Sequence, residues 1–311
     1  MTFPGTHESA SAIAAQSDSV FIFILIIAAF FFVLTQGFLI YFAMRYRHKK
    51  GEERETPDIR SNLFLETFWI AIPTLLVLAI FAYGFVVYKK IVAPLPNAME
   101  VGVVARQWMW EFKYPDGKTS VNELRLPVGK PVKLTMTSPD VIHSLYLPDF
   151  RIKQDIVPGR YTTMYLQPDR IGRFQIFCAE YCGTGHSQML ATLVVEKQGE
   201  YDEWVKGGGE AHKGEAPLEK GKELFARSGC AACHSINGKP GVGPTLKGLF
   251  GSQVKLSDGR TVTADEDYIR ESIVDPNAKV VAGFQPVMPT FKGTLKQDDI
   301  SALITYIKTL K

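Results

Sequence analysis

The sequence predicts a multi-domain membrane protein: a two-helix transmembrane hairpin, then a β-sandwich or barrel, then an all-α domain. Two long uncharged stretches lie before residue 90 of the 311-residue chain, and the remainder has the composition of a water-soluble protein. A formal net charge of +3 gives no indication of a nucleic-acid partner. The expected bounds are 1–94 for the N-terminal segment and hairpin, 95–200 for the β domain, 201–216 for a flexible linker and 217–311 for the α domain.

Residues 20–44 and 67–88 carry no charge and are predicted to span the membrane, since about 20 apolar residues cross the hydrocarbon core. A cleaved signal peptide is the alternative for the first stretch. Residues 1–19, however, contain no Lys or Arg to form its basic segment. The loop between the spans carries six basic residues: Arg45, Arg47, Lys49, Lys50, Arg54 and Arg60. Basic loops face the cytoplasm, so both termini and everything after Lys90 are expected on the outer side.

Glu66 is an acidic residue at the cytoplasmic mouth of the second span, in the segment LETFWIAIP. One interpretation is an interfacial carboxylate whose charge reaches the headgroups. The other is a group that takes up protons for a partner subunit, because ionisable residues at membrane depth often serve ion paths. The residues alone leave both open.

Residues 95–200 alternate apolar and polar residues in short runs such as VGVVARQWMWEF, PVKLTMTS and RFQIFC, with turn residues between them. This alternation predicts an antiparallel β-sandwich or barrel. Trp108 and Trp110 fall two residues apart in the first run, so they are expected on one face of a strand.

The motif CAEYCGTGHSQM ends the β domain with residues that bind soft metal ions. It contains Cys178, Cys182, His186 and Met189, and His143 lies upstream between two expected strands. Thiolate, imidazole and thioether together suit copper. A structural zinc site has no need of the thioether, a disulfide leaves the His and Met unexplained, and a blue-copper centre uses one Cys. Two thiolates bridging two copper ions, each ion with its own His, account for every ligand.

The hairpin, the β domain and the pattern CxExCGxGHxxM resemble subunit II of haem–copper cytochrome c oxidases, which have a cupredoxin-like domain with a dinuclear copper centre, CuA. The resemblance implies six CuA ligands: His143, Cys178, the backbone carbonyl of Glu180, Cys182, His186 and Met189. It also implies that the Glu180 side chain helps to hold a Mg²⁺ shared with subunit I, and that Glu66 feeds protons into that subunit. Trp108 matches the surface aromatic that receives electrons over the copper, whereas Trp110 is expected to pack in the core.

The last 95 residues contain Cys230-Ala-Ala-Cys233-His234, a CxxCH pattern typical of covalent haem c attachment. Both cysteines would form thioethers, and His234 would be the proximal iron ligand. A redox dithiol is the alternative, but the βαβ context that it needs is absent from the sequence pattern. The final segment DDISALITYIKTL predicts an amphipathic helix that packs near Phe225, with Tyr306 at the contact.

Met288 is the expected distal haem ligand because it is the only methionine after Met189, and no histidine follows His234. His212, in the linker, is a remote alternative. The segment GVGPTLKG resembles the class I cytochrome c loop in which a proline, here Pro244, accepts the proximal imidazole N–H through its carbonyl.

Taken over nearly the whole chain, the resemblance implies subunit II of a caa3-type oxidase in the bacterial inner membrane, with both redox domains periplasmic. Electrons would come from an outside donor, which is cytochrome c, another small redox protein or a bc1-like or alternative complex. They would pass through haem c and CuA to haem a and the O₂-reducing centre of subunit I, coupled to proton translocation. Subunit III and membrane lipid are the other expected partners. The alternatives are the electron-accepting subunit of a CuA-containing nitric oxide reductase and a membrane-anchored copper chaperone.

Overall fold

The computed structural model describes residues 9–48, 50–51, 61–206 and 216–311. It divides the chain into two compact units: Ala12–Ala93 is one, and the segment up to Ser11 together with Pro94–Lys311 is the other. Three of the basic loop residues and the alternative haem ligand lie outside the described residues: Lys49, Arg54, Arg60 and His212.

The first unit is a helical hairpin, as predicted. Its helices, α1 (Ala12–Arg45) and α2 (Leu63–Val92), are both long and apolar enough to cross a membrane. They run side by side: the Phe23 and Tyr83 rings meet edge to face at 5.7 Å between centroids, and Lys90 donates to Gln16 over 2.9 Å. Both helices extend beyond the uncharged stretches, because polar residues continue each helix on either side of its apolar part.

Helix α2 begins with a side-chain cap. The Asn62 side-chain oxygen accepts the backbone N–H of Leu65 over 3.1 Å, and the Glu66 carboxylate accepts the backbone N–H of Asn62 over 3.1 Å. Helix N-termini leave four N–H groups without intrahelical partners, so these two bonds stabilise the start of the helix. Glu66 therefore has a structural role at this position. Its role in proton uptake stays a prediction.

Ten strands build the β domain within the second unit: β1 (Met99–Arg106), β2 (Met109–Lys113), β3 (Thr119–Val121), β4 (Glu123–Pro127), β5 (Val132–Thr137), β6 (His143–Leu147), β7 (Ile152–Ile156), β8 (Thr162–Leu166), β9 (Gly172–Cys178) and β10 (Leu190–Glu196). They form two five-stranded sheets, in the orders β3-β2-β1-β5-β8 and β4-β10-β9-β6-β7. Alternate residues of β5 point inward, and Val132, Leu134 and Met136 are fully buried. Burying each such side chain contributes about 1.5–3 kcal/mol.

The expected sandwich is confirmed, but three expectations inside it are wrong. The sheets are mixed rather than antiparallel, because β1 pairs in parallel with β5 and β10 in parallel with β4. The first run folds back as a hairpin of β1 and β2, so Trp108 lies in the turn and Trp110 in β2. His143 begins strand β6 rather than lying between strands. Parallel pairing depends on distant segments, which local alternation does not reveal. The two-residue turn at Gln107 and Trp108 contains no glycine, asparagine or proline that would mark a hairpin in the sequence.

Helix α3 (Gln198–Val205) ends the β domain, and five of its residues, 201–205, were expected to belong to the linker. Tyr201 and Trp204 are buried against Tyr114, with the Trp204 and Tyr114 rings 4.9 Å apart in an edge-to-face contact. The Lys118 ammonium lies 4.0 Å from the centroid of the Trp204 ring. Because two aromatic residues at a spacing of three share one helix face, this segment packs on the domain instead of extending into solvent.

The C-terminal domain has three helices, α4 (Pro217–Arg227), α5 (Glu266–Val274) and α6 (Gln297–Ile307), and a small hairpin of β11 (Gln253–Lys255) with β12 (Thr261–Thr263). The hairpin departs from the all-α expectation. Helices α4 and α6 pack together, and the rings of Phe225 and Tyr306 lie 5.5 Å apart. The predicted closing helix and its contact with Phe225 are therefore confirmed.

We predict that Trp204→Ala releases helix α3 from the β domain. Removing a buried Trp side chain costs about 3 kcal/mol, and here it also removes the cation–π contact with Lys118. Amide hydrogen exchange, measured by mass spectrometry over residues 198–206, should accelerate by at least tenfold. Glu203→Ala, an exposed change on the same helix, is the control. Equal exchange in both variants would contradict the anchoring role of Trp204.

Candidate metal centre and haem site

A single loop between β9 and β10 carries most of the predicted copper ligands. Cys178 is the last residue of β9, and Met189 immediately precedes β10. Backbone bonds fold the loop back: Ala179 N–H donates to Ser144 over 2.9 Å, His186 N–H to Gly183 over 3.0 Å and Met189 N–H to His186 over 3.1 Å. Strand β6 pairs with β9 so that Leu145 faces Cys178, which brings His143 to the same end of the sheet.

The structure brings all six predicted ligands together. The Sγ atoms of Cys178 and Cys182 are 3.7 Å apart. Each sulfur faces one imidazole: Cys178 Sγ is 4.0 Å from His143 Nδ1, and Cys182 Sγ is 3.5 Å from His186 Nδ1. Met189 Sδ lies 3.7 Å from Cys182 Sγ, and the Glu180 carbonyl oxygen lies 3.2 Å from Cys178 Sγ. Two thiols, each with its own imidazole, thus form an arrangement that is close to symmetric.

The donor chemistry fits two copper ions. Cys178, Cys182, Met189 and His143 are buried, and ligand atoms of His143 and both cysteines lie within 4.8 Å of one another. Sulfur and imidazole donors favour copper over harder cations. The side chain of Glu180 is exposed to solvent and only its carbonyl faces the sulfurs. Its share in a Mg²⁺ site stays a prediction.

Asp140 orients the His143 ring. Its carboxylate lies 2.9 Å from His143 Nε2, which leaves Nδ1 to face the sulfur of Cys178. The same carboxylate accepts the backbone N–H of Gln107 over 2.8 Å. A carboxylate behind a ligating imidazole fixes its tautomer and strengthens its basicity. Sequence reasoning missed Asp140, although a carboxylate three residues before a ligand histidine is a readable signal.

The two thiols differ in acidity. Burial opposes ionisation of Cys178, but hydrogen bonding with His143 and with the Ser144 backbone brings its pKa down to about 7. Burial raises the pKa of Cys182, and the neighbouring charge of Cys178 raises it further. Ionisation of one thiol therefore opposes ionisation of the other, because two thiolates at this separation repel each other.

Trp108 packs against the ligand loop. Its indole N–H donates to the Cys182 carbonyl over 3.1 Å, and the Gln107 side-chain amide donates to the same oxygen over 2.7 Å. A side chain at Gly185 would come within 2.5 Å of the indole ring, so only glycine allows this approach. Trp108 is 8% exposed in the whole chain and lines a cavity whose other walls come mostly from the C-terminal domain. Trp110 is fully buried, as expected, with its ring edge to face with His143 at 6.3 Å.

The CxxCH segment follows helix α4 in a short turn, and His234 is oriented as predicted. Its Nδ1–H donates to the Pro244 carbonyl over 2.8 Å, which leaves Nε2 to bind iron. Burial lowers the pKa of His234, so the imidazole is neutral, as a metal ligand must be. A side chain at Gly243 would lie 2.7 Å from His234 Cε1, so the loop backbone lies directly against the imidazole ring.

One cavity collects the predicted haem residues. Cys230, Cys233, His234, Pro244 and Met288 all line it, although Met288 comes from a distant loop. The rest of the wall is largely apolar: Leu246, Tyr268, Ile269, Phe291, Leu303 and Ile307 are among the lining residues. A cavity with two thiols and an imidazole at one wall, a thioether and an apolar lining fits a covalently bound haem.

Three family models match the chain. "Cytochrome C oxidase subunit II, transmembrane domain" matches residues 4–87, "Cytochrome C oxidase subunit II, periplasmic domain" matches 118–197 and "Cytochrome c" matches 218–311. Cytochrome c oxidase subunit 2 of Alkalihalophilus pseudofirmus is 30% identical, over 94% of this chain and 86% of that protein. The chain belongs to the cytochrome c oxidase subunit II family.

Two further relatives show the breadth of this family. The alternative cytochrome c oxidase subunit 2 of Bradyrhizobium diazoefficiens is 34% identical, over 58% of this chain and 76% of that protein. The quinol oxidase subunit 2 of Bacillus cereus is 28% identical, over 62% of this chain and 68% of that protein. The matches favour neither a copper chaperone nor a nitric oxide reductase. This subunit II is thus a membrane-anchored component of an oxidase complex, whose two soluble domains imply copper and haem.

We predict that Met288→Ala leaves haem attached to this subunit II but lowers its reduction potential. The thioethers of Cys230 and Cys233 do not depend on Met288, whereas a methionine axial ligand raises the potential of haem iron. A potentiometric titration monitored in the visible spectrum measures the shift. Ser301→Ala, an exposed change on helix α6, is the control and should not shift the potential. An unchanged reduction potential in Met288→Ala would contradict the assignment of Met288 as a haem ligand.

Proposed function

We propose that this subunit II takes electrons from an outside donor at its haem domain and passes them through its copper domain to subunit I of a cytochrome c oxidase of the caa3 type. Copper and haem c each accept and release single electrons. The observation that carries the proposal is the convergence of two thiols, two imidazoles and a thioether, four of them from the β9–β10 loop and its ends and the fifth, His143, from β6. The relatives include a quinol oxidase subunit, so membership of the family does not by itself assign the electron donor or the copper. The set of ligand residues is therefore the stronger support for the copper function.

Each predicted site residue receives one role. Cys178 and Cys182 would supply the thiolates shared by two copper ions, His143 and His186 would supply one imidazole to each ion, and Met189 and the Glu180 carbonyl would complete the set. The separations of these groups, 3.2–4.0 Å, support this assignment. Cys230 and Cys233 would bind haem covalently, and His234 and Met288 would supply its imidazole and thioether ligands. Pro244 holds the His234 ring.

Trp108 is the residue that links the two sites. It lines the haem cavity together with Gln107 and Met109, and its indole N–H donates to the carbonyl of the copper ligand Cys182 over 3.1 Å. Electrons that leave the haem domain therefore meet an indole ring already bonded to the ligand loop. We assign Trp108 to electron transfer on this contact.

The partners are subunit I, which carries haem a and the O₂-reducing centre, and subunit III. Oxygen reduction and proton translocation take place in that complex, and Glu66 supplies protons to subunit I at the cytoplasmic mouth of α2. The complex lies in the bacterial inner membrane, with both termini and both redox domains periplasmic. Ala10, just before α1, exchanges backbone hydrogen bonds with Asp149 and Asp169 of the copper domain. This pairing supports a common side for the N-terminus and that domain.

Cys182→Ser tests the bridging role. We expect loss of the delocalised mixed-valence copper signal in electron paramagnetic resonance, because one bridging thiolate is gone, while the haem is still reduced by the donor. Elemental analysis of the unmodified oxidase subunit should give two coppers per haem iron. Ser187→Ala, an exposed change on the same loop, is the control and should keep the signal. Zinc in place of copper, or a delocalised copper signal that persists in Cys182→Ser, would contradict the proposal.

Glu66→Gln tests the proton role. Glutamine keeps an oxygen that accepts the Asn62 N–H and so retains the helix cap, but it cannot carry a proton at this position. We expect slower O₂ turnover of the complete oxidase, with haem and copper reduction by the donor unchanged. Asn62→Ala, which removes only the cap, separates the two effects. If Asn62→Ala slows turnover as much as Glu66→Gln does, the carboxylate acts only as a cap.

A further inference from the structure

A copper-domain residue lies in the core of the haem domain. Met109 is buried in an apolar cluster whose other buried members all come from residues 224–307, among them Leu224, Phe225 and Leu246. Val121 of strand β3 packs against the same cluster. The two side chains therefore extend one hydrophobic core across both domains, and burial of an apolar side chain stabilises the contact in which it occurs.

Gly229, the residue directly before the first haem cysteine, lies against the copper domain. It has φ +77, and a side-chain carbon placed there would lie 2.9 Å from Asn122 Nδ2 and 3.9 Å from the Trp108 carbonyl oxygen. Asn122 is itself held in place, because its side-chain oxygen accepts the Trp110 N–H over 2.8 Å. Only a residue without a side chain therefore allows this approach.

Charges of opposite sign flank the contact. Arg227, the last residue of α4, attracts the Glu123 carboxylate of strand β4. Glu123 also binds Arg125 over 2.8 Å and Arg173 over 3.4 Å within the copper domain. Since Glu123 is buried, attraction from a neighbouring guanidinium is screened less than at the surface.

We propose that Gly229 and Asn122 are positioning residues that seat the haem domain on the copper domain, with Met109 as the apolar anchor of the contact. The electron then crosses a fixed contact at Trp108, and the linker does not have to bring a freely moving domain to its acceptor at each turnover. The surface formed by Gln107, Trp108 and Met109 is a docking surface whose occupant is the haem domain of the same chain. This inference rests on the proposed electron-transfer function. It adds Gly229, Asn122 and Met109, none of which is a predicted ligand of copper or haem.

Two glycine variants of the full oxidase complex separate docking from backbone strain. Gly229→Ala and Gly251→Ala place alanine at similar left-handed backbone angles, φ +77 and +82, but nothing lies within 4 Å of the added carbon at position 251. Docking is read from the rate at which a methionine-selective oxidant modifies Met109, measured by peptide mass spectrometry. Met136, fully buried in the sandwich, is the internal reference.

We expect Gly229→Ala to raise the rate of Met109 oxidation about tenfold, the size of effect for an overpacked contact, and to slow haem-to-copper electron transfer after flash reduction. Met136 oxidation, copper content, haem content and both reduction potentials should not change. Gly251→Ala should change none of these. Continued protection of Met109 in Gly229→Ala, or equal exposure in Gly251→Ala, overturns the proposal and leaves the copper and haem assignments standing.

Position 229 adjoins Cys230, so a second variant keeps the proposal testable if Gly229→Ala fails to attach haem. Val121→Asp puts a charge into the shared cluster from the copper-domain side, away from the haem cysteines. It should expose Met109 to oxidation in the same way, with the delocalised copper signal retained. Protection of Met109 in this variant also overturns the proposal.

Discussion

The buried sulfur atoms of Cys178 and Cys182 lie 3.7 Å apart, and the loop between β9 and β10 is arranged around that distance. Two thiolates this close repel each other by about 4 kcal/mol at an effective dielectric constant of about 20. The sulfurs therefore cannot hold the loop in shape by themselves. Backbone bonds from Ala179, His186 and Met189 do so, and the loop is tied at both ends to adjacent strands of one sheet. The ligand geometry is thus set by the scaffold before any metal binds.

The turn between β1 and β2 is tied to the copper ligands from two sides. Its residue Gln107 donates its backbone N–H to Asp140, which orients His143, and its side-chain amide to the Cys182 carbonyl. Trp108 donates to that carbonyl as well. A displacement of this turn would disturb one imidazole and one thiolate together. The position of Trp108 and the geometry of the predicted ligands therefore depend on the same few hydrogen bonds.

The residues of the two motifs could be expected to lie together because each motif is local: Cys178, Cys182, His186 and Met189 lie in or beside one loop, and CxxCH with Pro244 lies within 15 residues. His143 and Met288 come from other segments, and the fold brings them to those motifs. Strand β6 is different: four of its five residues are buried, so it shows no alternation. The parallel pairing of β1 with β5 depends on contacts between distant segments, whereas Trp108 lies in a two-residue turn that no glycine, asparagine or proline marks in the sequence. Gln107 reaches the site through a contact with the distant Asp140, which explains why local patterns did not identify it. Asp140 lies three residues before His143, so its place in the site was readable from the sequence.

Trp108 suits a position shared by two sites because its side chain has one polar group and a large apolar ring. The single N–H is satisfied by the Cys182 carbonyl, and the ring faces Gly185 on one side and lines the haem cavity. Phenylalanine would fill the space but leave that carbonyl with Gln107 as its only side-chain donor. A tyrosine hydroxyl would project beyond the position of the indole nitrogen and need a partner of its own, since a buried polar group without one costs free energy. The residue at this contact is therefore constrained by hydrogen bonding to the copper loop and by packing against the haem cavity at the same time.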